Sequence, residues 1–180
     1  MENGLLRLFA RVLPGFARAS PFAGGLVELR EGDADRRTYA ALRLVASAQR
    51  RGLAVALVDA AQTLDSALAS RAGVSLPDLV AAQPDSPAEA LAIADSLARS
   101  GAFDAIIVDS LDSFDRREPR SRTDRRRAFK TMRSLSAFLA RSAVICIFTT
   151  DEPIPYGVVF DSPAPSPETA ALRRYACCRI

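Results

Sequence analysis

Three short apolar runs constrain the fold more than anything else in the chain. They are LAVALVD at 53–59, AIIVD at 105–109 and AVICIFTT at 143–150. A strand with one wet face alternates apolar and polar residues. A run that is apolar on both faces belongs to a strand covered on both sides. GLVEL at 25–29 is a shorter strand candidate, and DLVAAQ at 78–83 a weaker one. Helical patterns fill the gaps. From Arg36 to Arg51, Leu42, Val45 and Ala46 share one face and Gly52 is the stop. Residues 63–72 read as a short helix closed by Gly73. At 86–101, Ser86 caps, Pro87 takes the first helical position, Glu89 completes a capping box and Gly101 ends the helix. Residues 124–141 form a helix with strongly basic first turns. In the tail, GVVF at 157–160 and YACCRI at 175–180 read as strands around a loop at 161–168. Buried strands alternating with helices predict an α/β fold: a mostly parallel central sheet flanked by helices on both faces. Ligands of such sheets bind at the carboxyl ends of the strands.

Composition narrows the chemistry. The 180 residues, 49% of them apolar, suffice for one domain with a real core. The net charge of +3 permits nucleic-acid contact without demanding it. The absence of histidine removes imidazole acid–base chemistry, His-based triads and His metal sites. Of three cysteines, Cys146 in VICIF reads as a buried hydrophobe. Cys177 and Cys178, as neighbours on a strand, point to opposite faces and do not converge on one metal. No metal site, cofactor or catalytic residue is assigned. No apolar run reaches the roughly 20 residues that span a bilayer, and arginines interrupt the apolar N-terminus, a poor signal peptide; the cytoplasm is the expected compartment. Leu5, Leu8, Phe9, Val12 and Phe16 recur at helical spacing, so 1–20 is expected to be an amphipathic helical segment ahead of a core at 21–180. It docks on its own domain or a partner; a membrane surface is the alternative.

Residues 28–42, ELREGDADRRTYAAL, join the first strand to the first helix. Many α/β proteins grip a phosphate with that loop. Here it carries Glu31, Asp33 and Asp35 beside Arg36 and Arg37. Further on, DRREPRSRTDRRRAFKTMR at 115–133 concentrates cations: Arg116, Arg117, Arg120, Arg122, Arg125, Arg126, Arg127 and Lys130 among them. Such a stretch either neutralises nucleic-acid phosphates or is a solvated loop whose arginines pair with local acids.

Residues 57–110, and LVELREGDADRRTYAALRLVASAQRRG at 26–52 without a gap, closely resemble the ATPase core of RecA recombinases. The likeness resumes at AVICIFTT and ALRRYACCRI. The family's phosphate loop is G-x-x-x-x-G-K-[ST]. The resemblance places Glu31 at its first glycine, Arg36 at its second and Arg37 at its lysine; only Thr38 is retained. It places the catalytic glutamate on Ala61 and the γ-phosphate-sensing glutamine on Thr150. Asp109, the acid that supports Mg²⁺, remains. Two like charges about 4 Å apart cost about 4 kcal/mol at an effective dielectric of about 20, or about three decades of affinity. The expectation is a chain without ATP hydrolysis or tight ATP binding. Asp33 or Asp35 is expected at the helix N-terminus, where it replaces the anion.

A RecA core with these departures resembles ImuA, the accessory family of the bacterial SOS-inducible mutasome. The resemblance implies a scaffold or regulator of translesion synthesis, not an enzyme. Its partners would be an ImuB-type Y-family polymerase-like protein and an error-prone polymerase, with DNA contacted through 115–133. Asp104 falls where the RecA family pairs with a neighbour's lysine, which marks it for the partner interface; an exposed strand-start acid is the alternative. Three other functions stay open: a modulator of RecA filaments, a SulA-like division inhibitor, and a residual nucleotide switch using Arg37, Thr38 and Asp109.

Overall fold

The computed structural model describes residues 24–31, 33–110, 122–151, 167–176 and 178–179. Its elements run β1 (Gly25–Glu31), α1 (Ala34–Gln49), β2 (Val55–Asp59), α2 (Ser66–Ala72), a 3-10 turn (Leu76–Asp78), β3 (Val80–Ala82), α3 (Pro87–Arg99), β4 (Ala105–Asp109), α4 (Arg122–Leu139), β5 (Ile145–Asp151), α5 (Pro167–Tyr175) and β6 (Cys178–Arg179). The six strands form one sheet in the order β3-β2-β4-β5-β1-β6. Every pairing is parallel.

Side-chain alternation divides the core in two. Val27, Leu29, Val55, Leu57, Ala105, Ile107, Ile145 and Ile147 face α1 and α2. Leu26, Val58, Ile106, Val108, Cys146 and Phe148 face α3, α4 and α5. Helix signals read from the sequence act as expected. The Ser86 hydroxyl accepts from the Glu89 N–H at 3.2 Å, and Glu89 Oε2 accepts from the Asp85 N–H at 2.8 Å. Gly73 closes α2 at φ 88°, and its N–H reaches the last carbonyls of the helix. Gly24 admits no side chain, because a Cβ there would overlap the Val144 backbone.

The tail differs from the expectation. Residues 167–175 are helix α5, where the expected loop ran to 168 and the expected strand began at 175, and the described strand that follows is Cys178–Arg179. The sequence carries the start signal: Pro167 follows Ser166, as Pro87 follows Ser86. The expected strand at 157–160 and the segment 1–20 lie outside the described residues.

Asp65 caps α2, accepting from the Ala67 and Leu68 N–H groups at 2.6 and 2.9 Å. The Leu68 bond, followed by the Ala67 bond, holds its carboxyl below the usual value. A depressed folded pKa adds stability that is present above the unfolded value of about 3.9 and lost as pH falls through the folded value. Asp65→Ala is therefore expected to be less stable than the parent at pH 7, with the gap narrowing below about pH 4; urea titrations at both pH values measure it. Phe148 is fully buried. Phe148→Ala is expected to cost about 3–5 kcal/mol in the same titration, whereas Val80→Thr, at a side chain 48% exposed on the edge strand, changes stability by less than about 0.5 kcal/mol.

Candidate nucleotide-site remnant

Two residues beyond Leu29, Leu57, Ile107 and Ile147, the same alternation sets Glu31, Asp59, Asp109 and Thr149 on the α1 face of the sheet, at the carboxyl ends of four strands. Helix α1 starts above them. Asp33 is its N-cap, with extended backbone, and its Oδ1 accepts from the Arg36 N–H at 3.0 Å. Asp35 lies in the first turn. Aspartate thus meets the orphan N–H groups and the positive end of the helix dipole.

One turn into α1, Arg37 and Thr38 point inward and are buried. Their target is Asp109, 2% exposed. Arg37 Nε donates to Asp109 Oδ1 at 3.3 Å, and the Thr38 hydroxyl donates to Oδ2 at 2.8 Å. The Thr149 hydroxyl also donates to Oδ1. Three donors from two elements therefore hold one buried carboxylate. With its only proton committed to Asp109, Thr38 accepts from Thr63 across 3.2 Å. The guanidinium of Arg37 stands at the position assigned to the phosphate-loop lysine, and it reaches the acid assigned to Mg²⁺.

Asp59, the neighbour of Asp109 in register, is engaged differently. It accepts from the Thr63 and Leu64 N–H groups and from Gln83 Nε2, at 2.9–3.0 Å. That clamps the β2–α2 turn, where Gln62 takes φ 56°. Ala61 sits in the turn, and its N–H donates to the Asp109 carbonyl at 2.9 Å. A methyl group therefore stands where the resemblance places a general base.

Two expected site residues make contacts that the sequence does not announce. The Thr150 side chain is not part of the Asp109 group. Its side chain lies on the opposite face of β5 and donates to Glu28 Oε1 at 3.0 Å. The threonine that meets Asp109 is Thr149, one residue earlier, and strand alternation counted back from the buried Ile147 identifies it. Asp104, expected at the partner interface or else as an exposed strand-start acid, ties two strands together. Its Oδ2 accepts from the Ala54 N–H at 2.9 Å and joins the entrance of β4 to that of β2. Glu31 is half-buried at the end of β1, and Arg36 is exposed.

Arg116, Arg117 and Arg120 lie outside the described residues, as do the side chains of Arg122 and Arg125. On α4, Arg126, Arg127 and Lys130 are exposed, while Ala128, Met132, Leu135 and Leu139 fill the core behind them. Burial, and secondarily Asp95, raises the Cys146 thiol pKa and keeps it protonated. Among the described residues, no three His, Cys, Asp or Glu side chains gather as a metal set. No described helix is long and apolar enough to cross a membrane.

Comparison with known proteins agrees with this architecture. A profile of the RecA N-terminal domain matches residues 20–180. RecA of Thermus thermophilus and RecA of Rubrobacter xylanophilus are each 36% identical over 168 residues, and RecA of Rickettsia massiliae is 33% identical over 165. Each alignment covers 87% of this chain and 48% of the relative, so the chain spans about half the length of the curated relatives it matches. A KaiC-like protein from Pyrococcus horikoshii shares the fold, with a TM-score of 0.55 at 18% identity over 73% of this chain and 62% of the other. The parallel sheet, its order and these matches together make the chain a member of the RecA family, built on the RecA N-terminal domain.

Proposed function

We propose that this chain is a non-catalytic, RecA-like accessory protein that works by docking to partners. The observation that carries this reading is the Arg37–Asp109 pair. Its side chains are 7% and 3% exposed, so a magnesium nucleotide would have to break a buried ion pair before reaching the acid. Removing one member of such a pair costs about 3–5 kcal/mol, because the other is left charged and buried. The helix N-terminus already holds the Asp33 carboxylate, so a phosphate there meets a like charge. Ala61 has no group to take a proton from water.

Within the SOS response, the reading is an ImuA-type role: scaffolding or regulating an ImuB-type polymerase-like partner and an error-prone polymerase during translesion synthesis. The start of β4, marked by Asp104, and β3, the edge strand among the described residues, with Val80 exposed, supply a docking face. DNA contact belongs to Arg126, Arg127 and Lys130, whose exposed cations suit phosphates at low salt. One observation favours a second reading, a nucleotide-sensing switch: Arg37, Thr38 and Asp109 still meet at one point.

Nucleotide titration separates the two readings. A ligand with a Kd of about 0.1 mM, present at about 1 mM, stabilises its protein by about 1.4 kcal/mol, a rise of about 3–6 °C in Tm for a chain of this size. Melting with Mg-ATP and with a non-hydrolysable analogue is expected to leave Tm unchanged; a rise of that size supports the switch. A pull-down with the C-terminal region of an ImuB-type partner addresses docking. Capture by the parent chain, loss with Asp104→Lys and retention with Asp104→Asn, which keeps an acceptor for the Ala54 N–H, are expected. No capture by the parent chain removes the mutasome reading.

A further inference from the structure

Near its carboxyl end, strand β5 carries two consecutive threonines, Thr149 and Thr150, that serve two different buried networks. Thr149 faces α1 and bonds to Asp109, and through that carboxylate it meets Arg37 and Thr38. Thr150 faces the other way and donates to Glu28. Glu28 is fully buried in the middle of β1, and Arg173 of α5 donates to the same Oε1 at 3.1 Å. An ion pair with a fully buried carboxylate therefore anchors α5, beside the packing of Ala171 and Leu172.

The tip of β5 is lightly held elsewhere. Its pairing with β4 runs from Ala105↔Ile145 to Val108↔Phe148 and stops there. Beyond Phe148, among the described residues, the ladder continues toward β1 alone, through Leu29↔Thr149, Arg30↔Thr150 and Glu31↔Asp151. The Thr149 hydroxyl joins this tip to β4, at the Asp109 carboxylate and, more loosely, at the Val108 carbonyl. Asp109, Thr149, Thr150 and the Glu28–Arg173 pair thus form one chain of contacts across the sheet.

We propose that the Thr149–Thr150 pair is a conformational link, by which the state of the Arg37–Asp109 pair sets how firmly α5 is docked. Arg37 and α5 lie on opposite faces of the sheet, so direct contact does not provide the link. The proposal needs no particular partner, and it stands or falls separately from the docking reading.

Amide hydrogen exchange on the full chain tests it. Arg37→Met is expected to speed exchange in α5 about tenfold, the equivalent of about 1.4 kcal/mol of local opening. Thr149→Val, which removes one hydroxyl and keeps the side-chain shape, is expected to do the same. Arg37→Met in the Thr149→Val background is expected to add nothing. Ala69→Gly, in α2, serves as the control: it destabilises the chain from the α1 face and is expected to leave α5 exchange within about twofold of the parent. Unchanged α5 exchange in both variants overturns the proposal, as do effects that multiply when the two are combined. Should Arg37→Met fail to fold, Thr149→Val alone decides, by faster α5 exchange or by none.

Discussion

A carboxylate buried at the carboxyl end of a central strand must be answered by donors, because desolvation otherwise makes its charge untenable. Asp109 is that carboxylate, and the middle of this structure is arranged around it. Helix α1 answers with Arg37 and Thr38, β5 with Thr149. All these donors come from the chain itself. Among the described residues these donors meet the buried carboxylate and tie α1 to the sheet. The Asp33 cap extends the same principle one turn outward: the charge that suits a helix N-terminus is supplied by a side chain.

The sheet was legible in the sequence because its signal is simple. Runs such as LAVALVD and AIIVD leave a strand no wet face, and covering both faces requires helices on both sides. Helix starts were legible where Ser86 and Pro87 stand together. The same pairing at Ser166 and Pro167 was obscured by the Pro- and Ser-rich residues before it, which outweighed a helix of only nine residues. Nothing in local periodicity marks Arg173 as the partner of Glu28, 145 residues away.

The site was legible in its residue types and less so in its geometry. Residue types at Arg37, Thr38, Ala61 and Asp109 identify which chemistry has a group to perform it. They do not say that Arg37 folds back onto Asp109, which depends on the height of α1 above the sheet. The division of labour between Thr149 and Thr150 is of another kind. A strand has a period of two, so a shift of one residue moves a side chain to the opposite face. Counting from the buried Ile147 gives the right answer, whereas a correspondence with a family motif carries no such parity. Asp59 and Asp104 show a further limit. Each carries a formal charge near a strand end, yet each is largely occupied with backbone N–H groups.

On the proposed docking reading, an internal ion pair stands in place of a ligand. A pocket that waits for a nucleotide is stabilised by binding, so its geometry reports occupancy. A pocket closed by Arg37 would have its geometry fixed by the sequence, and would present the surfaces it supports continuously. The same closure makes the pocket sensitive in another way. Asp109 is shared between α1 and β5, so anything that competes for Arg37 or Thr149 acts on two elements at once. At this end of the sheet Asp109 is therefore a structural joint, and the most informative side chain around it is the arginine that stands where the resemblance places the phosphate-binding lysine.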